Sequence, residues 1–133
     1  MTDGAISVLV VDDNPEFLEA VRAIFGGSAP AAVVHTAETG SQALDVLRTG
    51  VRPSLIVLDY HLPDIDAPTV LTRIRASSEW NTLPVLVLSQ ADWEADRTAV
   101  MAAGAQEFRV KPSRMRLLRD VLIDMWRKHG DPS

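Results

Sequence analysis

Five short apolar runs recur along the chain, separated by longer segments with a different hydrophobic spacing. The runs are Ile6–Val11, Ala32–His35, Leu55–Leu58, Val85–Leu88 and Glu107–Val110. The first, third and fourth runs consist almost entirely of Val, Leu and Ile, which is typical of strands covered on both faces in a parallel sheet. We therefore predict five strands.

Segments with helical hydrophobic spacing lie between and after these runs. The first begins after Pro15, carries its apolar residues at helical spacing, and ends at Gly26-Gly27. The other four predicted helices are about Gly40–Thr49 with Gly50 as its stop, about Ala67–Ala76, about Asp92–Ala103 before Gly104, and about Ser113–His129. The apolar stripe of the last helix is Met115, Leu118, Val121, Leu122 and Met125.

The alternation of strand and helix predicts an α/β fold: an open parallel sheet with helices on both faces. Right-handed crossovers leave only a few possible topologies. The chain has 133 residues, the size of one ordinary domain, and shows no internal repeat or linker. We expect a single domain over 1–133, with its core at about 6–129.

Composition excludes several kinds of chemistry. The chain has no cysteine, so disulfides, thiolate catalysis and cysteine-based metal sites are excluded. A net charge of −5 argues against non-specific binding to nucleic acid, and the basic residues of the last helix are the main local exception. No stretch has the features of a signal peptide or the length of a membrane span. We expect a soluble cytoplasmic protein that binds neither membrane nor nucleic acid directly.

Polar side chains follow the ends of four predicted strands. In an open α/β sheet, ligands bind beyond the carboxyl ends of the strands, where such residues meet. The residues are Asp12 and Asp13 after the first strand, Asp59 after the third, Ser89 after the fourth, and Lys111 with Pro112 after the fifth. We therefore predict that three carboxylates, one hydroxyl and one lysine lie together at one edge of the sheet.

This set of groups favours phosphoryl chemistry with a hard cation. Three carboxylates in one pocket repel one another unless a cation binds or their pKa values rise. Oxygen ligands select Mg²⁺, which one or two carboxylates commonly hold together with phosphate oxygens. A lysine and a hydroxyl suit a phosphoryl group, and aspartate is a nucleophile that forms acyl phosphates.

Together these residues resemble the receiver domain of two-component response regulators, from about Ile6 to His129. The motifs are Asp12-Asp13, Asp59 within "LDYHLPDID", Ser89, and "KP" at 111–112. The resemblance implies a flavodoxin-like, doubly wound (βα)5 three-layer sandwich with strand order 2-1-3-4-5. It also implies a phosphoprotein that catalyses its own phosphorylation and slow dephosphorylation and is not a conventional enzyme.

The resemblance assigns a role to each matching residue. Asp59 would accept the phosphoryl group from a histidine kinase or phosphotransfer protein and would also be a Mg²⁺ ligand. Asp13 would bind Mg²⁺ directly, Asp12 directly or through water, and His61 through its backbone carbonyl. The remaining roles are Lys111 holding the phosphoryl group, a cis peptide bond between Lys111 and Pro112, Ser89 moving to the phosphoryl group, and Phe108 as the aromatic switch.

Three positions depart from the family pattern. Gln90 stands where a small residue is usual, and with Ala91 it would line the pocket rim. The long side chain of Gln90 would either hinder small phosphodonors or contact the phosphoryl group or the water that attacks it. Ala67, followed by Pro68, replaces a usual Gly, which suggests a differently shaped loop. Phe108 replaces a usual Tyr; without a hydroxyl its ring should prefer burial and couple less strongly to phosphorylation.

Simpler interpretations remain open for single residues. Asp12 and Asp13 would also serve as helix caps, as would Ser89, and Lys111 would serve as a solvated lysine. The bulky Trp93 and Trp126 suit either the edge of the core or a partner surface.

Function also has alternatives. The main hypothesis is a stand-alone receiver whose output is a protein contact, self-association through the face of helix four, strand five and helix five, or phosphoryl relay. The second is an adaptor of the same fold that works without phosphorylation. A phosphatase with an aspartate nucleophile is disfavoured, because Asp-Asp-Asn replaces the usual DxD and no residues remain for a cap domain.

Overall fold

The computed structural model describes residues 6–26 and 32–130, which alternate between strand and helix. In chain order the elements are β1 (Ile6–Val11), α1 (Pro15–Gly26), β2 (Ala32–Ala37), α2 (Gly40–Arg48), β3 (Leu55–Asp59), α3 (Ala67–Ala76), β4 (Val85–Ser89), α4 (Glu94–Ala103), β5 (Glu107–Val110), α5 (Met115–Met125) and a π-helical turn (Trp126–Gly130). Gly27, predicted to help end the first helix, lies outside the described residues.

The five strands form one parallel sheet in the order β2-β1-β3-β4-β5. Successive residues of a strand point to opposite faces, so Val8 and Val10 pack with α1 and α5 while Leu9 and Val11 pack with α2, α3 and α4. All residues of β3 and β4 are buried, as their near-continuous apolar composition predicts. The predicted three-layer α/β sandwich and its strand order are confirmed.

Two predicted helix starts are wrong by two residues. Trp93 and Arg114 have extended backbones and precede the first turns of α4 and α5, so Asp92 and Ser113 lie in loops. Asp92 instead accepts a hydrogen bond from Arg97 Nη2 at 2.7 Å.

The prediction that the last helix runs regularly to His129 is wrong. The helix changes at Trp126 to a π-helical turn that runs to Gly130. Trp126 is fully buried there, and a Cβ atom at Gly130 would overlap its ring and approach the Ser54 carbonyl. The wider turn therefore places Trp126 in the core, beneath a residue that has no side chain.

The predicted apolar stripe of α5 is wrong at its first residue. Leu118, Leu122 and Met125 are buried and Val121 is half-buried, but Met115 is 49% exposed. Met115 lies at the start of the helix, where it lines an open groove beside α1 instead of the core.

The loop after β3 leads into α3 without a left-handed residue. Ala67 is the buried first residue of α3, and the carboxylate of Asp66 accepts a hydrogen bond from the N–H of Thr69 at 2.9 Å to cap that helix. Among the described residues, positive φ angles occur only at Gly50 and Gly104. Alanine therefore replaces the usual glycine at position 67 without requiring a left-handed backbone.

Candidate functional site

Three aspartates meet at the carboxyl edge of the sheet. Asp12 and Asp13 directly follow β1, and Asp59 ends the neighbouring strand β3. Each offers a carboxylate oxygen, and these oxygens lie within 4.8 Å of one another. Asp12 and Asp59 are 1% and 7% exposed, whereas Asp13 is open to solvent. The parallel pairing of β1 with β3 brings these residues together although 46 or more positions separate Asp59 from the others.

Lys111 reaches this acidic group from the end of β5, the edge strand of the sheet. Its Nζ atom lies 2.6 Å from Asp12 Oδ2 and 4.2 Å from the centre of the Phe17 ring. The side chain is only 15% exposed, so Lys111 is not a solvated lysine. Pairing of β4 with β5 brings it here, since the N–H of Lys111 donates to the Ser89 carbonyl at 2.6 Å. The peptide geometry predicted between Lys111 and Pro112 stays a prediction.

Helix capping does not explain the acidic residues after β1. Asn14 precedes α1, and its Oδ1 accepts a hydrogen bond from the N–H of Glu16 at 2.9 Å, which is the capping interaction. Asp12 Oδ1 in turn accepts from the N–H of Asn14 at 2.9 Å. Both Asp12 oxygens therefore have partners, one in Asn14 and one in Lys111.

Ser89 also lies in the pocket and caps no helix. It is the last residue of β4 and is 1% exposed. Its Oγ atom lies 3.5 Å from the N–H of Ala91, and α4 begins only at Glu94. The hydroxyl therefore lies at the end of the strand beside β3, at the sheet edge where Asp59 lies.

The pocket raises the pKa of Asp59 to about 6. Burial is the largest cause, followed by the negative charge of Asp12; the positive charge of Lys111 acts in the opposite direction, and Asp13 raises the pKa further. Because Lys111 is paired with Asp12, it compensates only part of the charge. The pocket therefore carries excess negative charge at neutral pH.

The loop after β3 is held in place by a residue that sequence reasoning missed. The Asp64 carboxylate accepts hydrogen bonds from the N–H groups of Gly40 and Ser41, the first residues of α2, at 2.9 and 3.1 Å. The Ser41 side chain, followed by the backbone N–H groups of Ile65, Ser41 and Gly40, holds the pKa of Asp64 well below its usual range, against a smaller opposing effect of burial. The side chain of His61 is exposed in the same loop. The only hint from sequence is that this loop carries two aspartates, Asp64 and Asp66.

Phe108 is 4% exposed, as predicted for a ring without a hydroxyl. The guanidinium carbon of Arg97 lies 4.9 Å from the centre of its ring, and Arg97 Nη1 donates to the Phe108 carbonyl at 3.4 Å. Arg97 also pairs with Asp92 at 2.7 Å. Sequence reasoning missed Arg97, because no local pattern connects a helix residue with a strand 11 positions later.

Gln90 and Ala91 lie beside the pocket. Gln90 is exposed and borders two cavities, one of about 430 Å³ between α1 and α5 and one of about 420 Å³ beside Ser89. Ala91 lines the second of these. The two tryptophans left open by the sequence differ, since Trp126 is in the core and Trp93 is 65% exposed.

The donor set fits a hard divalent cation. All ligands offered by Asp12, Asp13 and Asp59 are oxygen atoms, the type that Mg²⁺ prefers over softer sites. Each oxygen of Asp12 already has one partner, in Asn14 or Lys111, whereas Asp13 and Asp59 are less engaged, and all three aspartates offer a ligand oxygen. A bound cation would also reduce the repulsion that contributes to the raised pKa of Asp59.

Comparison with known proteins identifies the family. A family model described as the response regulator receiver domain matches residues 8–123. The chain belongs to this family. The receiver domain is 40% identical over 105 residues to the transcriptional regulatory protein PrrA of Mycobacterium tuberculosis, and the match covers 79% of this chain and 43% of PrrA.

Other relatives match over most of their length. An uncharacterized 14.6 kDa protein of Leptolyngbya boryana is 30% identical over 111 residues, which is 84% of this chain and 82% of that one. The crystal structure of the phosphorylated cyanobacterial phytochrome response regulator RcpA has a TM-score of 0.88 and 23% identity, covering 98% and 97% of the two chains. This likeness supports the receiver fold. The chain spans less than half the length of PrrA. Among the described residues, no helix is long and apolar enough to span a membrane.

Proposed function

We propose that Asp59 accepts a phosphoryl group from the phosphohistidine of a histidine kinase or phosphotransfer protein. The observation that carries this proposal is the convergence of Asp59 with Asp12 and Asp13, with Lys111 bonded to Asp12 at 2.6 Å. An excess of carboxylates around a nucleophilic one is costly for the free protein. It is useful when a cation and a phosphoryl group enter together.

The reaction forms one bond and breaks one. A carboxylate oxygen of Asp59 bonds to phosphorus, the phosphorus–nitrogen bond of the donor breaks, and its electron pair stays on the imidazole nitrogen. Lys111 and the hydroxyl of Ser89 would hold the phosphoryl oxygens. The step requires Asp59 to be ionised, so its pKa of about 6 leaves the nucleophile available at neutral pH.

Asp13, Asp59 and the backbone carbonyl of His61 would hold Mg²⁺, and Asp12 would contribute through water. When bound, Mg²⁺ supplies positive charge that neutralises the oxygens of the transferred group. The chain itself provides one positive charge beside the acceptor, Lys111 on Asp12, and a bound cation would add a second.

Output would leave through the face of α4, β5 and α5, toward a downstream protein or a second copy of the chain. Large exposed apolar side chains of the described residues concentrate in and next to these elements: Trp93, Met101, Val110, Met115 and Leu117. If this face self-associates, Leu117→Ser should lower the fraction of dimer in sedimentation of the phosphorylated chain. Equal dimer content in the variant and the wild type would exclude Leu117 from the contact.

We further propose that residues 1–133 act as one domain in the cytoplasm. The described segments share one continuous sheet with two hydrophobic clusters, one on each face. Limited proteolysis should leave this unit intact.

The decisive test is intact mass after incubation with a phosphodonor, with and without Mg²⁺. The wild type should gain one phosphoryl group only with Mg²⁺, and Asp59→Asn should gain none. Asp120→Asn is the matched control, because Asp120 is an exposed aspartate on α5, away from the sheet edge. Labelling of Asp59→Asn at the wild-type rate would contradict the proposal.

An adaptor that works without phosphorylation is the second candidate. The observation that favours it is the buried position of Phe108, whose ring already lies under Arg97 in the free chain. Failure of every donor to label a protein that still binds Mg²⁺ would support the adaptor. Gln90→Ala would then be the first variant to test, since it opens the pocket rim.

A further inference from the structure

A cavity of about 420 Å³ opens beside Ser89, between the loop after β3 and the loop after β4. It is lined by His61, Ser89, Gln90, Ala91, Trp93 and Asp96. Ser89 ends β4 and Asp59 ends the neighbouring strand β3, so this cavity opens at the same edge of the sheet as the proposed acceptor. The proposed transfer to Asp59 leaves this space without a role.

Trp93 gives the cavity an aromatic wall. Its side chain is 65% exposed, and it belongs to neither of the two hydrophobic clusters. It is held at the start of α4 with φ −93° and ψ 129°. Trp93 is therefore not part of the hydrophobic core of the described residues. A flat ligand that packs against its ring would bury apolar surface there.

Asp96 gives the same cavity a negative charge. Asp96 lies near Tyr60, the residue after Asp59. A carboxylate beside an indole ring suits a flat ring that carries an N–H or a positive charge. Simple phosphates and acyl phosphates have no such ring.

We propose that this cavity binds the imidazole of the phosphodonor, with Trp93 and Asp96 as specificity-determining residues for an aromatic leaving group. The inference rests on the proposed phosphorylation of Asp59. In the transfer, the ring enters protonated on the nitrogen that carries no phosphorus. It leaves as neutral imidazole once the phosphorus–nitrogen electron pair returns to the ring.

Two small donors that differ in the leaving group test this proposal. N-phosphoimidazole carries the ring, and acetyl phosphate does not. Trp93→Leu should lower the rate of Asp59 labelling by N-phosphoimidazole about fivefold to tenfold, the size of effect expected for one aromatic contact. Its rate with acetyl phosphate should stay within about twofold of the wild type, the scatter allowed for a remote change. Trp93→Phe should keep most of the rate with N-phosphoimidazole.

Met101→Ala is the matched control, since Met101 is an exposed apolar residue of α4 that does not line the cavity. It should leave the ratio of the two rates unchanged. An equal loss with both donors in Trp93→Leu, or no loss with either, would overturn the proposal.

Direct binding separates this inference from the proposed function. Imidazole alone should bind the wild type saturably in isothermal titration calorimetry, and binding should be about fivefold to tenfold weaker in Trp93→Leu. If neither donor labels Asp59 but imidazole still binds, the proposed phosphorylation fails and the imidazole site stands. If imidazole does not bind and the donor ratio is unchanged in Trp93→Leu, the imidazole site is wrong.

Discussion

Two clusters of charged side chains flank β5 and differ in how their charges balance. The first is the pocket, where three carboxylates face one lysine. The second, which we call the β5–α5 network, joins β5 to α5 and the π-helical turn. In it, acidic side chains are matched by basic ones. Its members are Glu107, Arg109, Asp124, Lys128 and His129.

Each member of the β5–α5 network has an opposite partner. Arg109 Nη2 lies 2.8 Å from both Glu107 Oε1 and Asp124 Oδ2. His129 Nε2 lies 3.0 Å from Glu107 Oε2, and Lys128 Nζ lies 3.3 Å from Asp124 Oδ2. These side chains are partly exposed, so water screens the charges that remain.

The pKa values move in opposite directions in the two clusters. Burial raises the pKa of Glu107, but hydrogen bonds from His129 and Arg109 outweigh it and lower the value overall. Hydrogen bonds from Arg109 and Lys128 lower the pKa of Asp124. In the pocket, burial and Asp12 raise the pKa of Asp59. The paired carboxylates of the network stabilise the fold. The unpaired carboxylates of the pocket, with the raised pKa of Asp59, indicate a ligand-binding site.

The largest difference should appear when a cation is removed from each cluster. Lys111→Met leaves the buried Asp12 without its ion partner and should lower the free energy of unfolding by about 3–5 kcal/mol. Arg109→Met, in the exposed network, should cost about 1 kcal/mol. Urea unfolding at pH 7 without Mg²⁺ measures both. Equal losses would show that burial does not distinguish the two clusters.

Asp59→Asn should stabilise the protein at pH 7 without Mg²⁺. The folded pKa of Asp59 is about 6 against an ordinary value of 3.8, so the folded state binds this proton more tightly than the unfolded state. The contribution of Asp59 to stability should therefore fall as pH rises from about 4 to about 6, so Asp59→Asn should gain about 3 kcal/mol relative to the wild type over this range. Urea unfolding of both proteins across this range measures the effect. A difference between them that does not change with pH would contradict the raised pKa.

Mg²⁺ should stabilise the wild type at pH 7, because it binds the folded pocket and not the unfolded chain. At a concentration about 100 times its dissociation constant, the gain should be about 2.7 kcal/mol. Asp13→Asn should lose most of this gain, whereas Asp124→Asn in the β5–α5 network should keep it. Thermal unfolding with and without Mg²⁺ measures the gain, and an equal gain in both variants would place the cation outside the pocket.

The smallest effect should come from His129→Gln, which removes one contact to Glu107 while its bond to Arg109 remains. We expect a loss below about 1 kcal/mol at pH 7. Since the folded pKa of Glu107 is lowered, its contribution is present above its unfolded value and is lost as pH falls. Acid titration followed by circular dichroism should therefore show that the variant unfolds at a higher pH than the wild type. An unchanged transition would mean that Arg109 alone holds Glu107.

The sequence by itself determined the order of the elements and the position of the pocket residues. Continuous runs of Val, Leu and Ile require strands covered on both faces, and parallel strands place their carboxyl ends at one edge. Asp59, Ser89 and Lys111 therefore converge whatever the details of helix packing. The predicted bounds of α3, about Ala67–Ala76, match the structure, where Asp66 caps the helix.

Only the tertiary structure decided how the side chains pair. Lys111 lies on Asp12 and Phe17, Asp64 holds the loop after β3 to α2, and Arg97 covers Phe108. Each contact joins two different elements or loops and depends on distances of a few ångströms between them. Hydrophobic periodicity fixes which face of an element is buried. It carries no information about which polar side chains on different elements contact each other.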